Sequence, residues 1–162
     1  LTKTYVDHVP VGVVGVVTPW NYPLALTMLD VLPALISGNA VVQKADNQAA
    51  LTVLFARNLA VAAGVPEKLW QIVTGDGELV GNSLTDNVDY IAFTGSTATG
   101  RKVAERAATR LIGCSLELGG KNPMIVLPGA DPKKAAEIAL AGAFGSGAWT
   151  GASATGASGA VA

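Results

Sequence analysis

Cysteine, histidine and charge are all scarce in this sequence. The chain has one cysteine and one histidine, and Asp, Glu, Lys and Arg together make up 14% of its 162 residues. A single thiol, Cys114, excludes an internal disulfide and favours a reducing compartment, so we expect a cytoplasmic protein. His8 has no second ligand nearby, so we expect a surface residue and no metal site. The formal net charge of −1 shows no basic excess, so we expect no nucleic-acid partner.

Long apolar runs are also lacking, although half of the residues are apolar. Pro or Gly interrupts each run well short of the length that spans a membrane. The start, LTKTYVDHVP, has no basic segment followed by an apolar block, as a signal peptide would have. We therefore expect no membrane partner. The first residue is not Met, which suggests that the chain begins inside a longer protein.

Short apolar runs rich in β-branched residues alternate with helical patterns along the chain. The predicted strands are VGVVGVV, AVVQK, LWQIV, VDYIAFT and NPMIVL, and the predicted helices cover 24–36, 48–63, 77–84, 96–110 and a segment opened by Asp131. This alternation predicts an α/β fold with a doubly wound, Rossmann-like parallel sheet of about five strands and helices on both faces. Pro33 should kink the first helix or divide it in two.

The last 18 residues, 145–162, differ from the rest of the sequence. They read GSGAWTGASATGASGAVA, almost entirely small residues without charge. Such a segment buries too little apolar surface to order itself. We therefore divide the chain into a folded domain, 1–144, and a low-complexity tail, 145–162. The tail resembles a flexible linker, an engineered tail or residues without firm identity.

Glycines and polar residues concentrate where the predicted strands end. These segments are TPWNYP, KADN, TGDG, TGSTATG and LELGGK. Open parallel sheets bind ligands outside the carboxyl ends of their strands. The sequence therefore predicts a ligand site formed by these connections.

The segment FTGSTATG places a glycine turn between a strand and a helix. Gly95 would let a phosphate approach the backbone, and the N–H groups of the helix start favour an anion. An ordinary strand–helix turn is the alternative. The segment is not a P-loop, because Arg101 stands where Lys is required and no Ser or Thr follows Lys102. The first strand is not followed by G-x-G-x-x-G either.

Two further strand ends carry candidate polar groups. In TPWNYP, prolines flank a buried-looking Trp20 and Asn21, whose amide could donate to an oxyanion or could simply cap a turn or the next helix. Lys44 ends an apolar strand, where it could contact a ribose or phosphate or could simply be solvated. Both pairs of alternatives stay open on these residues alone.

Glu117 lies between two leucines and just before a glycine pair, in LELGGKNP. It could be a solvent-facing strand end or a carboxylate at the mouth of a cleft, tuned for base chemistry. If 114–117 is extended, Cys114 and Leu116 face one side of the sheet while Ser115 and Glu117 face the other. We therefore interpret Cys114 as a small buried hydrophobe rather than a nucleophile.

Three motifs in order, TPWNYPL, FTGSTATG and LELGGKNP, closely resemble the aldehyde dehydrogenase superfamily from about residue 11 to 144. DVLPALISGNAVVQK and RLIGCSLELGGKNPMIVL are most similar to its succinate-semialdehyde dehydrogenase branch of actinobacterial type. The resemblance implies that 1–144 is a dinucleotide-binding domain, truncated at its amino end. It also implies NAD(P)-dependent oxidation of an aldehyde to the carboxylic acid, in a protein that forms homo-oligomers.

The resemblance also implies roles for individual residues. Asn21 matches the amide that stabilises the oxyanion, and Glu117 matches the general base. Asn47 stands where the family often has a Glu that repels a 2′-phosphate, which favours NADP slightly over NAD. The positions that match cofactor contacts are Trp20, Lys44, Asn47, Gly95, Ser96, Leu118 and Gly119.

The sequence departs from the family pattern where the nucleophilic cysteine is expected. Aligning on Phe144 places that cysteine at Gly151, and glycine cannot attack an aldehyde. The alternative function is therefore a non-catalytic dinucleotide-binding fragment of such an enzyme. A branch with acylating or phosphate-dependent chemistry is disfavoured, because those enzymes tend to lack the base at Glu117.

Overall fold

The computed structural model describes residues 3–144, which form a five-stranded sheet with helices on both faces. The predicted tail, 145–162, and Gly151 lie outside the described residues. The elements are β1 (Val13–Thr18), α1 (Pro23–Ile36), β2 (Ala40–Ala45), α2 (Ala50–Ala62), β3 (Trp70–Val73), α3 (Gly77–Asp86), β4 (Tyr90–Gly95), α4 (Thr97–Thr109), β5 (Gly113–Leu118) and α5 (Pro132–Phe144). The α/β Rossmann-like prediction is confirmed. Within 3–144, no helix combines the length and the hydrophobicity needed to cross a bilayer.

All five strands are parallel and lie in the order β3-β2-β1-β4-β5. The chain builds the sheet outward from β1 through β2 to β3 and then returns to the other side of β1 with β4. The strand order therefore reverses between β1 and β4, which makes this the topological switch point of the sheet.

The sheet separates two apolar clusters. On one face, Val16, Val41 and Trp70 pack with Val31 of α1 and with Val53 of α2. On the other face, Ile91 packs with buried residues of α3 and α4, which are Leu84 and Ala107. The central strands are covered on both faces, which explains why their sequences are nearly continuous apolar runs.

The prediction of a strand at NPMIVL is wrong. Residues 122–127 pair with no strand in the described part of the chain, and Ile125 and Leu127 are 77% and 69% exposed. The fifth strand is Gly113–Leu118, which pairs with β4. A strand requires a neighbour for its backbone groups, and an apolar run cannot by itself supply that neighbour.

The break predicted at Pro33 is absent, since α1 runs from Pro23 to Ile36 through this residue. Val31 anchors the helix in the core at 0% exposure, and the Pro33 carbonyl accepts from Ser37 N at 3.0 Å. Tertiary packing and the bonds beyond the proline thus outweigh the one N–H that proline removes.

Candidate functional site

The switch point brings two of the predicted ligand segments together. Thr18 ends β1 and leads into the connection 19–22, which we call the β1–α1 connection. Gly95 ends β4, the neighbouring strand, and leads directly into α4. The crevice outside the carboxyl ends of β1 and β4 is where such sheets bind ligands.

The start of α4 can hold an anion. Ser96 is its N-cap, and its hydroxyl oxygen accepts from Thr99 N at 3.2 Å. Ser96, Thr97 and Ala98 are exposed, so the first turn of this 13-residue helix faces solvent. The positive end of the helix dipole and its N–H groups therefore point towards the crevice.

Gly95 has a packing role beside its predicted one. A Cβ at this position would lie 2.7 Å from Cζ of Phe93, a ring that is itself 5% exposed. The strand end can carry no side chain here unless that ring moves. That a phosphate approaches the backbone at Gly95 remains a prediction. The close packing against Phe93 does not test it.

The β1–α1 connection differs from its prediction at one residue. Trp20 is 42% exposed, so the expectation that it is buried is wrong. It lies in the connection after β1 and before α1. Asn21 is half-buried, and Tyr22 adopts a left-handed conformation with φ 64° and ψ 48° at the N-cap of α1. An exposed indole at this position remains available to a ligand.

Lys44 is not the solvated strand end that one interpretation expected, because it is 7% exposed. It lies near the carboxyl end of β2, beside Val17 of β1 and Val73 of β3. Nearby, the exposed Asn47 accepts from Gly75 N through its Oδ1 at 3.0 Å. That bond ties the connection after β2 to the connection after β3. Lys44 and Asn47 thus both lie at the carboxyl end of β2.

Glu117 lies on the edge strand β5, with its Cα paired to that of Thr94. The parallel register confirms the predicted alternation, with Ser115 and Glu117 on one face and Cys114 on the other. The prediction that Cys114 is buried is wrong, since its side chain is exposed. The edge position contributes to this exposure, because no further strand pairs with the outer side of β5 within 3–144. Glu117, Leu118 and Gly119 are exposed at the end of the strand.

The charge of the Glu117 carboxylate affects the pKa of Asp30, which lies on α1. Half-burial raises the pKa of Asp30 above 3.8, and repulsion from the Glu117 charge raises it further. Glu117 therefore lies on the α1 side of the sheet, in electrostatic reach of a second acid. Sequence reasoning missed Asp30, which looks like an ordinary polar position on a helix.

Thr94 is a second residue that the sequence did not single out. Its Oγ1 is buried and has no hydrogen-bond partner in the described part of the chain. It lies on the same face as Glu117, at the carboxyl end of β4. A buried hydroxyl without a partner is unfavourable unless a ligand supplies one. The only sequence signal was a Thr just before the Gly95–Ser96 turn.

These residues fit a dinucleotide better than a metal ion. The described residues contain no cluster of three or more His, Cys, Asp or Glu that could hold a metal. By contrast, an exposed helix start, a buried lysine, an exposed indole and an unsatisfied hydroxyl lie at or just beyond the carboxyl ends of β1, β2 and β4. They offer groups for phosphate, ribose and a planar ring.

The fold defines a class, an open parallel α/β domain of Rossmann type with a topological switch point between β1 and β4. The particular family follows from comparison. The chain belongs to the aldehyde dehydrogenase family, whose model matches residues 2–156.

Two curated relatives illustrate the range of similarity. A Mycobacterium tuberculosis protein named "Putative succinate-semialdehyde dehydrogenase, NADP(+), 2" is 54% identical over 142 residues, which cover 88% of this chain and 27% of the relative. The phenylacetaldehyde dehydrogenase of Pseudomonas fluorescens is 43% identical over 145 residues, which cover 88% and 29%. The chain therefore spans less than a third of the length of these relatives.

Comparison with solved structures also finds aldehyde dehydrogenases. An NADP-dependent enzyme of E. coli matches with a TM-score of 0.80 and 43% identity, over 84% of this chain and 29% of that one. A double mutant of betaine aldehyde dehydrogenase from Staphylococcus aureus, in complex with NAD+, matches with a TM-score of 0.77 and 38% identity, over 82% and 27%. The described domain thus has the fold of the corresponding part of these enzymes.

Proposed function

We propose that this chain is the dinucleotide-binding part of an NAD(P)-dependent dehydrogenase that oxidises an aldehyde to the carboxylic acid. One observation carries the proposal. The strand order reverses between β1 and β4, which places the connection bearing Asn21 beside the start of α4, with Glu117 on the next strand. β1 and β5 are two strand spacings apart, about 10 Å, which leaves room for a reacting carbon between amide and carboxylate.

Asn21 and Glu117 supply complementary chemistry in this reaction. A cysteine thiolate adds to the aldehyde carbon, and the amide of Asn21 donates to the oxygen that becomes negatively charged. After the hydride has left that carbon, water attacks the thioester, and the Glu117 carboxylate accepts the proton that the water loses. The thiolate is returned and the acid leaves. The position predicted for the cysteine, Gly151, lies outside the described residues.

The dinucleotide supplies the hydride acceptor when it is bound. Gly95 and Ser96, at the start of α4, would hold its phosphates. Lys44 and Asn47 would contact the adenosine ribose, and Trp20 would lie against the cofactor. Leu118 and Gly119, at the end of β5, would lie beside the nicotinamide. The neutral side chain of Asn47 favours NADP over NAD, because no carboxylate opposes a 2′-phosphate.

Succinate semialdehyde is the proposed substrate. The M. tuberculosis relative carries that activity in its name and is 54% identical, against 43% for the phenylacetaldehyde dehydrogenase. A cytoplasmic location and a homo-oligomeric assembly are proposed with it. The scarcity of cysteine and the resemblance to the family support them.

A matched pair of cap variants tests dinucleotide binding. Ser96 caps α4, and Asp76 caps α3 by accepting from Glu78 N and Leu79 N. Replacing either cap by Ala lowers the free energy of unfolding by about 1 kcal/mol. Only Ser96→Ala should also weaken NADP+ binding, which isothermal titration calorimetry measures. Equal affinity in both variants, or no binding by the unmodified chain, would contradict the proposal.

The alternative function, a non-catalytic dinucleotide-binding fragment, is favoured by one observation, the glycine at position 151. It is distinguished by aldehyde turnover. Formation of NADPH with succinate semialdehyde by Gly151→Cys would support the dehydrogenase, whereas NADP+ binding without turnover in that variant would favour the fragment interpretation.

A further inference from the structure

Gln43 lies at the centre of a buried hydrogen-bond network that the proposed reaction does not yet use. It is 0% exposed on β2, within an otherwise apolar cluster. Its Nε2 donates to Thr18 Oγ1 at 2.9 Å and to Thr27 Oγ1 at 2.8 Å. Its Oε1 accepts from Trp70 Nε1 at 3.0 Å. Both hydrogens of its amide and its oxygen are therefore used, so a polar side chain is tolerated in this core.

The two threonines flank the β1–α1 connection. Thr18 is the last residue of β1, and Thr27 lies in the second turn of α1, at 2% and 0% exposure. Asn21 lies between them, three residues after the first and six before the second. One amide group therefore binds the chain on both sides of the residue that we assign to the oxyanion.

The β1–α1 connection contains an unfavourable backbone conformation that neighbouring groups must stabilise. Tyr22 is held in the left-handed region, which is unfavourable for a residue with a Cβ and persists only when the surroundings fix it. Trp70, buried on β3, donates to the Gln43 amide oxygen and so orients that amide from the other side. The network thus extends from β3 through β2 to both ends of the connection.

We propose that Gln43 is a positioning residue for Asn21, holding the β1–α1 connection through Thr18 and Thr27. The effect of Gln43 on catalysis rests on the proposed function. Its effect on the conformation of the β1–α1 connection does not. The amide of Asn21 can stabilise a developing negative charge only if it stays where that charge appears.

Backbone hydrogen exchange in the full chain tests the proposal. Gln43→Met removes all three bonds at similar volume. A finer pair is Thr27→Val, which replaces the hydroxyl by a methyl group of the same shape, and Thr27→Ser, which keeps the hydroxyl. Val53→Ala serves as the control, because Val53 is 1% exposed in the same cluster. NMR measures exchange of the Leu26 amide, which donates to the Tyr22 carbonyl of the connection at 3.0 Å, and urea unfolding measures global stability.

We expect Gln43→Met and Thr27→Val to raise exchange of the Leu26 amide about tenfold beyond the rise produced by the global loss of stability, the scale of one lost hydrogen bond. Thr27→Ser should stay within about twofold of the unmodified chain. Val53→Ala should raise exchange only in proportion to its global loss. The proposal is overturned if all destabilised variants follow that proportion, or if Thr27→Val and Thr27→Ser behave alike.

Failure of this proposal and failure of the proposed function are distinguishable. If Gln43→Met does not fold, the Thr27 pair still decides the outcome. If the unmodified chain binds no NADP+, the proposed function fails, while the exchange comparison still shows whether Gln43 holds the connection.

Discussion

The Oγ1 of Thr94 is buried opposite Glu117 and has no hydrogen-bond partner within 3–144. Thr85 provides a contrast, because it is 1% exposed and its hydroxyl donates to the Gly81 carbonyl at 2.8 Å. Removing an unsatisfied buried hydroxyl relieves a desolvation penalty, whereas removing a satisfied one loses a bond. The two threonines therefore offer a test of whether Thr94 is kept for a ligand.

We predict opposite effects of Thr94→Val and Thr85→Val on the chain without ligand. Thr94→Val should raise the free energy of unfolding by about 1 kcal/mol, and Thr85→Val should lower it by about the same amount. Urea unfolding measures both. Destabilisation by both substitutions would show that Thr94 already has a partner.

Asp30 makes stability depend on pH. Its pKa is raised above 3.8, first by burial and second by the Glu117 charge, so the folded state binds a proton more tightly than the unfolded state. The stabilising contribution is complete below the unfolded pKa and is lost as pH rises through the folded pKa. In that window above 3.8, the free energy of unfolding should fall as pH rises.

We predict that Asp30→Asn removes this part of the pH dependence. Relative to the unmodified chain, the variant should gain stability as pH rises through the window, as measured by urea unfolding at several pH values. Glu117→Gln should move the pKa of Asp30 only part of the way back, because burial is the larger cause. NMR titration of the Asp30 carboxyl carbon reports that shift, and an unchanged pKa in Glu117→Gln would contradict the pairing.

At the scale of the element, one glycine in β1 and one in α3 differ in the space around them. A Cβ on Gly15 would lie 2.8 Å from Ile91 Cδ1, 3.1 Å from Val88 Cγ2 and 3.2 Å from Leu84 Cγ. The strand therefore approaches α3 and β4 too closely for any side chain. A Cβ on Gly81, inside α3, would have nothing within 4 Å.

We predict that Gly15→Ala lowers the free energy of unfolding by about 1–3 kcal/mol through overpacking. Gly81→Ala should raise it by about 0.5–1 kcal/mol, because alanine favours a helix. Thermal or urea unfolding of the two variants measures the contrast. A neutral Gly15→Ala would mean that the core repacks around the added methyl group.

At the scale of the whole molecule, stability should report cofactor choice. A ligand that binds only the folded chain adds about 2.7 kcal/mol to its stability at a hundred times its Kd. We therefore predict a larger rise in Tm with NADP+ than with NAD+ at equal concentration. Asn47→Glu should reverse that order, because a carboxylate near a 2′-phosphate costs about 1 kcal/mol or more. Asn47→Gln is the neutral control, and an unchanged order in Asn47→Glu would place the ribose elsewhere.

Much of the fold could be predicted from local pattern. The first four strands and the first four helices begin and end within two residues of their predicted bounds, because apolar runs, helix stop signals and caps act over a few residues. The fifth helix begins at Pro132, directly after the Asp131 that was predicted to open it. The prediction of a strand at NPMIVL was wrong, because strand formation depends on pairing with a neighbour that is distant in sequence. The predicted division of α1 at Pro33 was wrong, because packing of α1 on the core overrode a local preference, whereas a kink at Pro33 stays a prediction.

The sequence by itself determined that this chain alternates strands with helices and where glycines and polar groups follow the strands. It also determined the family, because three motifs occur in order. Only the tertiary structure decided that Lys44 is buried and Trp20 exposed, that Glu117 acts on Asp30, and that Gln43 joins Thr18 to Thr27. Burial and contact across 16 or more residues arise from the sheet order and register, and neither is encoded in any short stretch of the chain.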